Sequence, residues 1–180
     1  MEFSRPLLVV ITIVLLRCDH QTSGIKITLE SFEQTLGQDV LWCDIRIRKY
    51  NRTSTVANGT IHMYREGTNE YQYQLDVFYS RLGNQQFNHM PMKLPTAGIC
   101  DFIDYIYKNY PGYMGYFVNG PEEGECPIKV RDIHMFDTEF PSEAVPPLIV
   151  RNGLYKAVIS CHHDAKEIIS YYIILKATDN

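Results

Sequence analysis

The chain has 180 residues, 45% of them hydrophobic, and a formal net charge of -4. A mildly acidic chain with scattered basic residues is a poor binder of nucleic acid or of an anionic membrane surface, so both partners are set aside. The length suffices for one domain with a real core and is short for two.

Residues 1–24 have the order of a secretory signal peptide: Arg5, an apolar run from Leu7 to Leu16, then a polar exit through Arg17, Cys18, Asp19 and His20. About ten apolar residues are too few to span a bilayer. Cleavage is expected after Cys18 or after Gly24, and either cut discards Cys18. The mature domain, residues 25–180, is therefore expected to be secreted and extracellular, without a membrane span. Of the five cysteines, Cys43, Cys100, Cys126 and Cys161 remain. Four cysteines in a secreted chain imply two disulfides, and the residues leave three pairings open.

From Ile25 the pattern has period two, the mark of half-buried strands. Ile25, Ile27 and Leu29 alternate with polar residues. Leu41, Cys43, Ile45 and Ile47 then form an apolar face opposite Trp42, Asp44, Arg46 and Arg48. Thr53 to Tyr64 is more polar, reads as an edge or near-edge strand, and carries two sequons, at Asn51 and Asn58, both expected to bear glycans. Tyr71 to Tyr79 is the clearest strand, with Tyr71, Tyr73, Leu75, Val77 and Tyr79 on one face. Between Arg81 and Pro95 the alternation fails, and the run through Met90, Pro91, Met92 and Pro95 reads as an extended edge segment near a pocket. Ile99, Phe102, Ile103, Ile106 and Tyr110 fall at helical spacing, and Pro111-Gly112 ends the helix. Ile128 to Phe140 reads as a strand, Pro141 to Pro147 as an extended connection. Leu154 to Cys161 and Glu167 to Leu175 are the last strands, the final one apolar on both faces and so central. The expectation is a mainly β fold: a two-layer antiparallel β-sandwich with one short helix.

No pattern of catalytic or metal-binding type stands out. Gly-x-Ser-x-Gly, a phosphate-binding Gly-rich loop, His-Glu-x-x-His and Cys-x-x-Cys are all missing from the sequence. His162-His163-Asp164 offers metal-ligand types, but neighbours on a strand point to opposite sides, so it reads as a hairpin turn. The acidic runs Glu122, Glu123, Glu125 and Asp137, Glu139, Glu143 read as solvated turns. No enzyme activity, metal or cofactor is expected. Tyr113, Met114, Tyr116, Phe117 and Val118 instead put apolar bulk into a loop after the helix stop, which suits a pocket rim.

Met92-Lys93-Leu94-Pro95, Ile99-Cys100-Asp101-Phe102-Ile103, Cys126-Pro127-Ile128-Lys129, Phe140-Pro141-Ser142 and Asn152-Gly153-Leu154-Tyr155 together resemble the GM2-activator branch of the MD-2-related lipid-recognition proteins. More closely, residues 25–180 resemble the insect chemosensory CheB family, which is unrelated to the bacterial methylesterase of that name. The resemblance implies a lipid-binding cup with its helix near the rim and no catalytic residues. It also implies a Cys100–Cys126 bridge and, with it, Cys43–Cys161. Insect relatives take part in contact chemosensation, including responses to cuticular hydrocarbon pheromones. The implied role is to bind a lipid or long-chain hydrocarbon and present it to a chemosensory receptor channel. Trp42, Tyr71, Tyr73, Met90, Met92, Phe102, Ile106, Met114, Tyr116 and Phe117 are the candidates to line or rim the cavity. The rival reading is an immunoglobulin-like interaction module with no ligand inside.

Overall fold

The computed structural model describes residues 25–93, 95–110, 112–142 and 150–179. The expected leader, most of the Pro-rich connection and the side chain of Met92 lie outside the described residues. Along the chain come β1 (Ile25–Leu36), β2 (Leu41–Lys49), β3 (Thr55–Met63), β4 (Gln72–Ser80), β5 (Asn88–Lys93) and β6 (Ala97–Gly98). Helix α1 (Ile99–Asn109) and a 3-10 turn (Tyr113–Tyr116) follow, then β7 (Phe117–Val118), β8 (Asp132–Thr138), β9 (Gly153–His163) and β10 (Lys166–Asp179).

The strands form two antiparallel sheets, as the alternation predicts. The larger is ordered β1-β10-β9-β4-β5, with β6 also on β4; the smaller is ordered β2-β3-β8-β7. β10 is flanked on both sides, in keeping with its two apolar faces, and β3 lies one place in from the edge. β1 continues seven residues past the predicted Leu29. A bulge between Leu29 and Ser31 shifts its phase, so Phe32 and Gln34 return to the face that Ile27 and Leu29 occupy.

The registers fix which side chains face the interior. On the larger sheet Tyr73 pairs with Cys161, Leu75 with Ile159 and Val77 with Ala157. Cys161, Ile159 and Ala157 pair in turn with Ile169, Tyr171 and Ile173 on β10. Cys161, Ile169, Ala177, Ile27 and Leu29 on this face are buried. On the smaller sheet the inner face carries Leu41, Cys43, Ile45 and Ile47 against Met63, Ile61, Gly59 and Ala57.

Hydrogen bonds join the two sheets along the edge where β1 meets β2 and β3. There Gln34 Nε2 donates to Leu41 O at 2.6 Å, Gln34 Oε1 accepts from Cys43 N at 2.8 Å, and Thr55 Oγ1 donates to Leu29 O at 2.7 Å. On the opposite side the chain leaves β6 on the large sheet and enters β7 on the small one, so α1 and the 3-10 turn cross from one sheet to the other.

Helix α1 owes its place to a residue outside it. Its N-cap, Gly98, has no side chain to satisfy the first amides. Asn69 does so instead, its Oδ1 accepting from Cys100 N at 3.0 Å and Asp101 N at 3.2 Å. A Cβ on Gly98 would lie 2.3 Å from that same oxygen, so the arrangement needs glycine. The Cys100–Cys126 bridge is present, with Cα atoms 5.7 Å apart. Gly67 and Ile128 exchange backbone hydrogen bonds of 2.9 and 2.8 Å beneath it.

Candidate ligand-binding interior

Well-packed clusters occupy two places. Met63, Cys100, Ile128 and Ile133 gather beneath the helix with Ile99 and Ile103; Ile27, Val150 and Ala177 gather at the other end with Phe140 and Leu175. Between them the inner faces behave differently. Tyr73, Leu75, Val77, Ala157, Ile159, Tyr171 and Ile173 point into the sandwich, yet each keeps intermediate accessibility. Protein interiors are close-packed, and an inward-facing side chain in a filled core loses nearly all its surface. These residues therefore border space between the sheets.

The tyrosine hydroxyls show how enclosed that space is. Desolvation by burial pushes the Tyr171 and Tyr73 hydroxyls well above the usual phenol range. The nearby groups that add to the shift for Tyr171 are Cys43, Tyr113 and Cys161; for Tyr73 they include Tyr171 and both thiols. Groups from the large sheet, the small sheet and the crossing loop thus lie within electrostatic reach of the Tyr171 hydroxyl. Burial pushes the Cys43 thiol up to about 12, and the Cys161 thiol, partly offset by Tyr73, up to about 11. Both thiols are therefore protonated at neutral pH.

The roof comes from the segment between the bridge cysteines. Met114 is buried and Tyr113 half-buried, with the Tyr113 ring 5.6 Å from that of Phe117. Phe117 pairs with Met135 on β8 and packs on the cluster beneath the helix. Tyr107 Oη donates to Pro121 O at 2.9 Å, and Asp104 Oδ1 accepts from Gly124 N at 2.8 Å, tying the helix to the loop that returns to Cys126.

Of the residues expected to line or rim the cavity, Tyr73, Ile106, Met114 and Phe117 lie on the inner side. Tyr71 is half-buried immediately before β4 with its ring 4.9 Å from that of His163, and Met90 is half-buried on the edge strand β5. Three others face away. Trp42 is 42% exposed on the outer face, stacked on His62 at 5.0 Å; Phe102 is 38% and Tyr116 40% exposed. Trp42 alternates with Cys43, and Phe102 is one position off the Ile99, Ile103, Ile106 stripe, so backbone phase turns both outward. Tyr171, which the sequence reading did not single out, faces inward on β10, and Tyr113, expected with the rim loop, is half-buried in the 3-10 turn.

The second expected bridge is not formed: Cys43 and Cys161 are free buried thiols. They belong to facing sheets, whose backbones stand about 10 Å apart, whereas a disulfide closes Cα atoms only about 4.4–6.8 Å apart.

The acidic turn also departs from expectation. Glu122 and Glu123 are exposed, but Glu125 pairs with Arg131 and accepts from Lys129 N at 3.0 Å and Glu122 N at 3.1 Å. Partial burial pushes its carboxyl up, but those amides and the Arg131 guanidinium outweigh it and hold it below the usual range. His162-His163-Asp164 does enter a hairpin turn, closed by Asp164 and Ala165 at positive φ.

No protein-family model matches this chain, and no curated protein matches it.

The expected glycan sites lie away from the interior. Asn51 is exposed in the β2–β3 turn, its Oδ1 accepting from Thr53 N and Ser54 N, each at 2.8 Å. Asn58 lies within β3, on the side opposite Cys43 and Ile45, and its Oδ1 accepts from Asp137 N at 3.0 Å. A hollow of about 290 Å³ between Leu36, Val40, Arg65 and Ile168 lies at the β1–β2 turn and mixes charges of both signs, unlike the apolar interior. Among the described residues no helix is long and apolar enough to cross a membrane.

Proposed function

We propose that the chain is a secreted carrier that holds a long-chain hydrophobic ligand between its two sheets. The observation that carries this reading is the incompletely filled apolar interior around Tyr73, Ala157, Tyr171 and Cys43, roofed by Tyr113, Met114 and Phe117. Burying an alkyl chain there contributes roughly 0.8 kcal/mol per CH₂ before ordering costs. The likeness to the insect chemosensory CheB family supplies the biological setting: a cuticular, pheromone-type lipid taken up outside the cell and presented to a receptor channel in gustatory perception. The polar groups of that interior are phenols and protonated thiols, which in this reading hold the ligand without altering it.

A second reading has its own support. The outer face of the small sheet exposes Trp42, Tyr64, Val118 and Phe136, with Trp42, His62 and Tyr64 stacked in a row. Such a face suits a protein partner, as in an immunoglobulin-like module. Organic extraction of the protein from secreting cells, followed by mass spectrometry, separates the two. The carrier reading expects about one long-chain lipid per chain. Recovery of none, with no hydrocarbon uptake afterwards, favours the module.

A further inference from the structure

The open edge of a β-sheet presents N–H and C=O groups with which another chain can pair, and folded proteins guard such edges with proline, with bulges or by keeping them short. Most edges of this sandwich are guarded. β5 carries Pro91 and is bulged against β4 between Asp76 and Phe78, β6 and β7 have two residues each, and β1 is bulged at two places along β10. β2 is different. Its nine residues pair with β3 without a break in register, from Leu41 opposite Met63 to Lys49 opposite Thr55, and among the described residues its ladder is with β3 alone.

Two contacts show which way the backbone of β2 points. The side-chain amide of Gln34 donates to Leu41 O and accepts from Cys43 N, as a neighbouring strand would. In an antiparallel ladder the N–H and C=O of one residue point to one side and those of the next residue to the other. Leu41 and Cys43 therefore turn these groups away from β3, and so do Ile45 and Ile47. The other hydrogen bond from β1 passes β2 by, since Leu29 O accepts from Thr55 Oγ1 on β3. The stretch from Cys43 O to Ile47 O is thus the unguarded edge, and the side chains beside it on the outer face, Trp42, Asp44, Arg46 and Arg48, are exposed.

We propose that this edge is the seam of a two-fold dimer, in which β2 of one copy pairs antiparallel with β2 of a second copy of this chain. The charges choose the register. With the axis at Ile45, the two Ile45 backbones exchange hydrogen bonds and Ile47 N donates to Cys43 O of the second copy. Asp44 then stands opposite Arg46 of the second copy, and Arg46 opposite its Asp44. Moving the axis to Asp44 or to Arg46 sets two identical charges opposite each other, which is unfavourable. Within one chain these residues make only a loose pair, Arg46 Nε lying 3.9 Å from Asp44 Oδ1 with the Arg46 side chain 83% exposed. Such a pair contributes little, so both charges are free to meet a second copy. Asn58, the expected glycan site opposite Arg46 on β3, turns its amide to Asp137 on β8 and so away from the seam. The dimer continues the small sheet across the axis and does not depend on what the interior holds.

Sedimentation velocity of the intact glycoprotein over a range of concentrations tests this. The average mass should rise from monomer toward dimer, and the rise should weaken in high salt. Asp44→Arg and Arg46→Asp each set like charges across the seam and should weaken self-association at least about tenfold. Mixed in equal amounts, the two variants regain opposite charges at both positions and should associate as well as the parent, a recovery that also reports that each is folded. A monomer at every concentration would overturn the proposal. So would a dimer that neither substitution weakens, or variants that stay apart when mixed.

Discussion

Ala157 gives the sharpest test of whether the sandwich is hollow. It lies mid-strand on β9 with its side chain on the inner face, between Val77 on β4 and Ile173 on β10, and it keeps intermediate accessibility despite facing inward. Consider Ala157→Phe. In a filled interior the added ring would force its neighbours off their rotamers at a cost of about 1–3 kcal/mol. At about 2–4 °C per kcal/mol for a domain of this size, that would lower Tm by roughly 2–12 °C. In a hollow interior the ring enters existing space, and its burial offsets the strain by about 1.5–3 kcal/mol. The account therefore expects the lipid-free variant to melt within about 2 °C of the parent, or above it, while taking up at least about tenfold less ligand, because the ring occupies the ligand's volume. Differential scanning calorimetry of delipidated protein gives the first quantity and a dye-uptake titration the second. A large fall in Tm with unchanged uptake would refute the reasoning, since it would place Ala157 in a packed core away from the site.

Four further outcomes are expected. Thiol labelling of residues 25–180 should count none in the native protein, two after denaturation without reductant and four after reduction; none in the denatured, unreduced sample would mean that Cys43 and Cys161 are bridged. Removing the Cys100–Cys126 bridge should cost about 3.5 kcal/mol by loop-closure entropy, for a sequence separation of 26, and loosen the roof, read as lower Tm and faster ligand exchange. Asn69→Ala should cost about 1 kcal/mol through the helix cap, measured by denaturant titration. The Glu125 pair has a definite pH sign: its carboxyl is held below its ordinary value, so its stabilisation is present above the unfolded pKa and is lost as pH falls through the lowered one. Arg131→Met should accordingly flatten the acid limb of the stability curve, and an unchanged acid limb would count against the pair.

Some of this was open to reading from the residues. Period-two alternation marks the strands because one face of each is buried, and the apolar spacing of Ile99, Ile103 and Ile106 marks the helix. The end of β1 was hidden because the bulge after Leu29 breaks the phase that reveals strands. Trp42 and Phe102 show bulk competing with phase: both are large and apolar, and both sit one position off the inward stripe. Tyr171 could not be placed from its own strand, because the run from Ile168 to Leu175 is apolar on both sides and carries no phase; only its register against Ile159, next to the Cys161 pair, turns it inward. Even parity of cysteines suggested a second bridge, but pairing depends on the separation of the facing sheets, which parity does not contain.

Titration with Nile red, a neutral dye that brightens when it leaves water, bears most directly on the hollow interior. The account predicts saturable uptake of one dye per folded chain, displaced by a long-chain lipid and lost in Ala157→Phe while the fold persists. Absence of saturable uptake by delipidated protein, or undiminished uptake by Ala157→Phe, would contradict it.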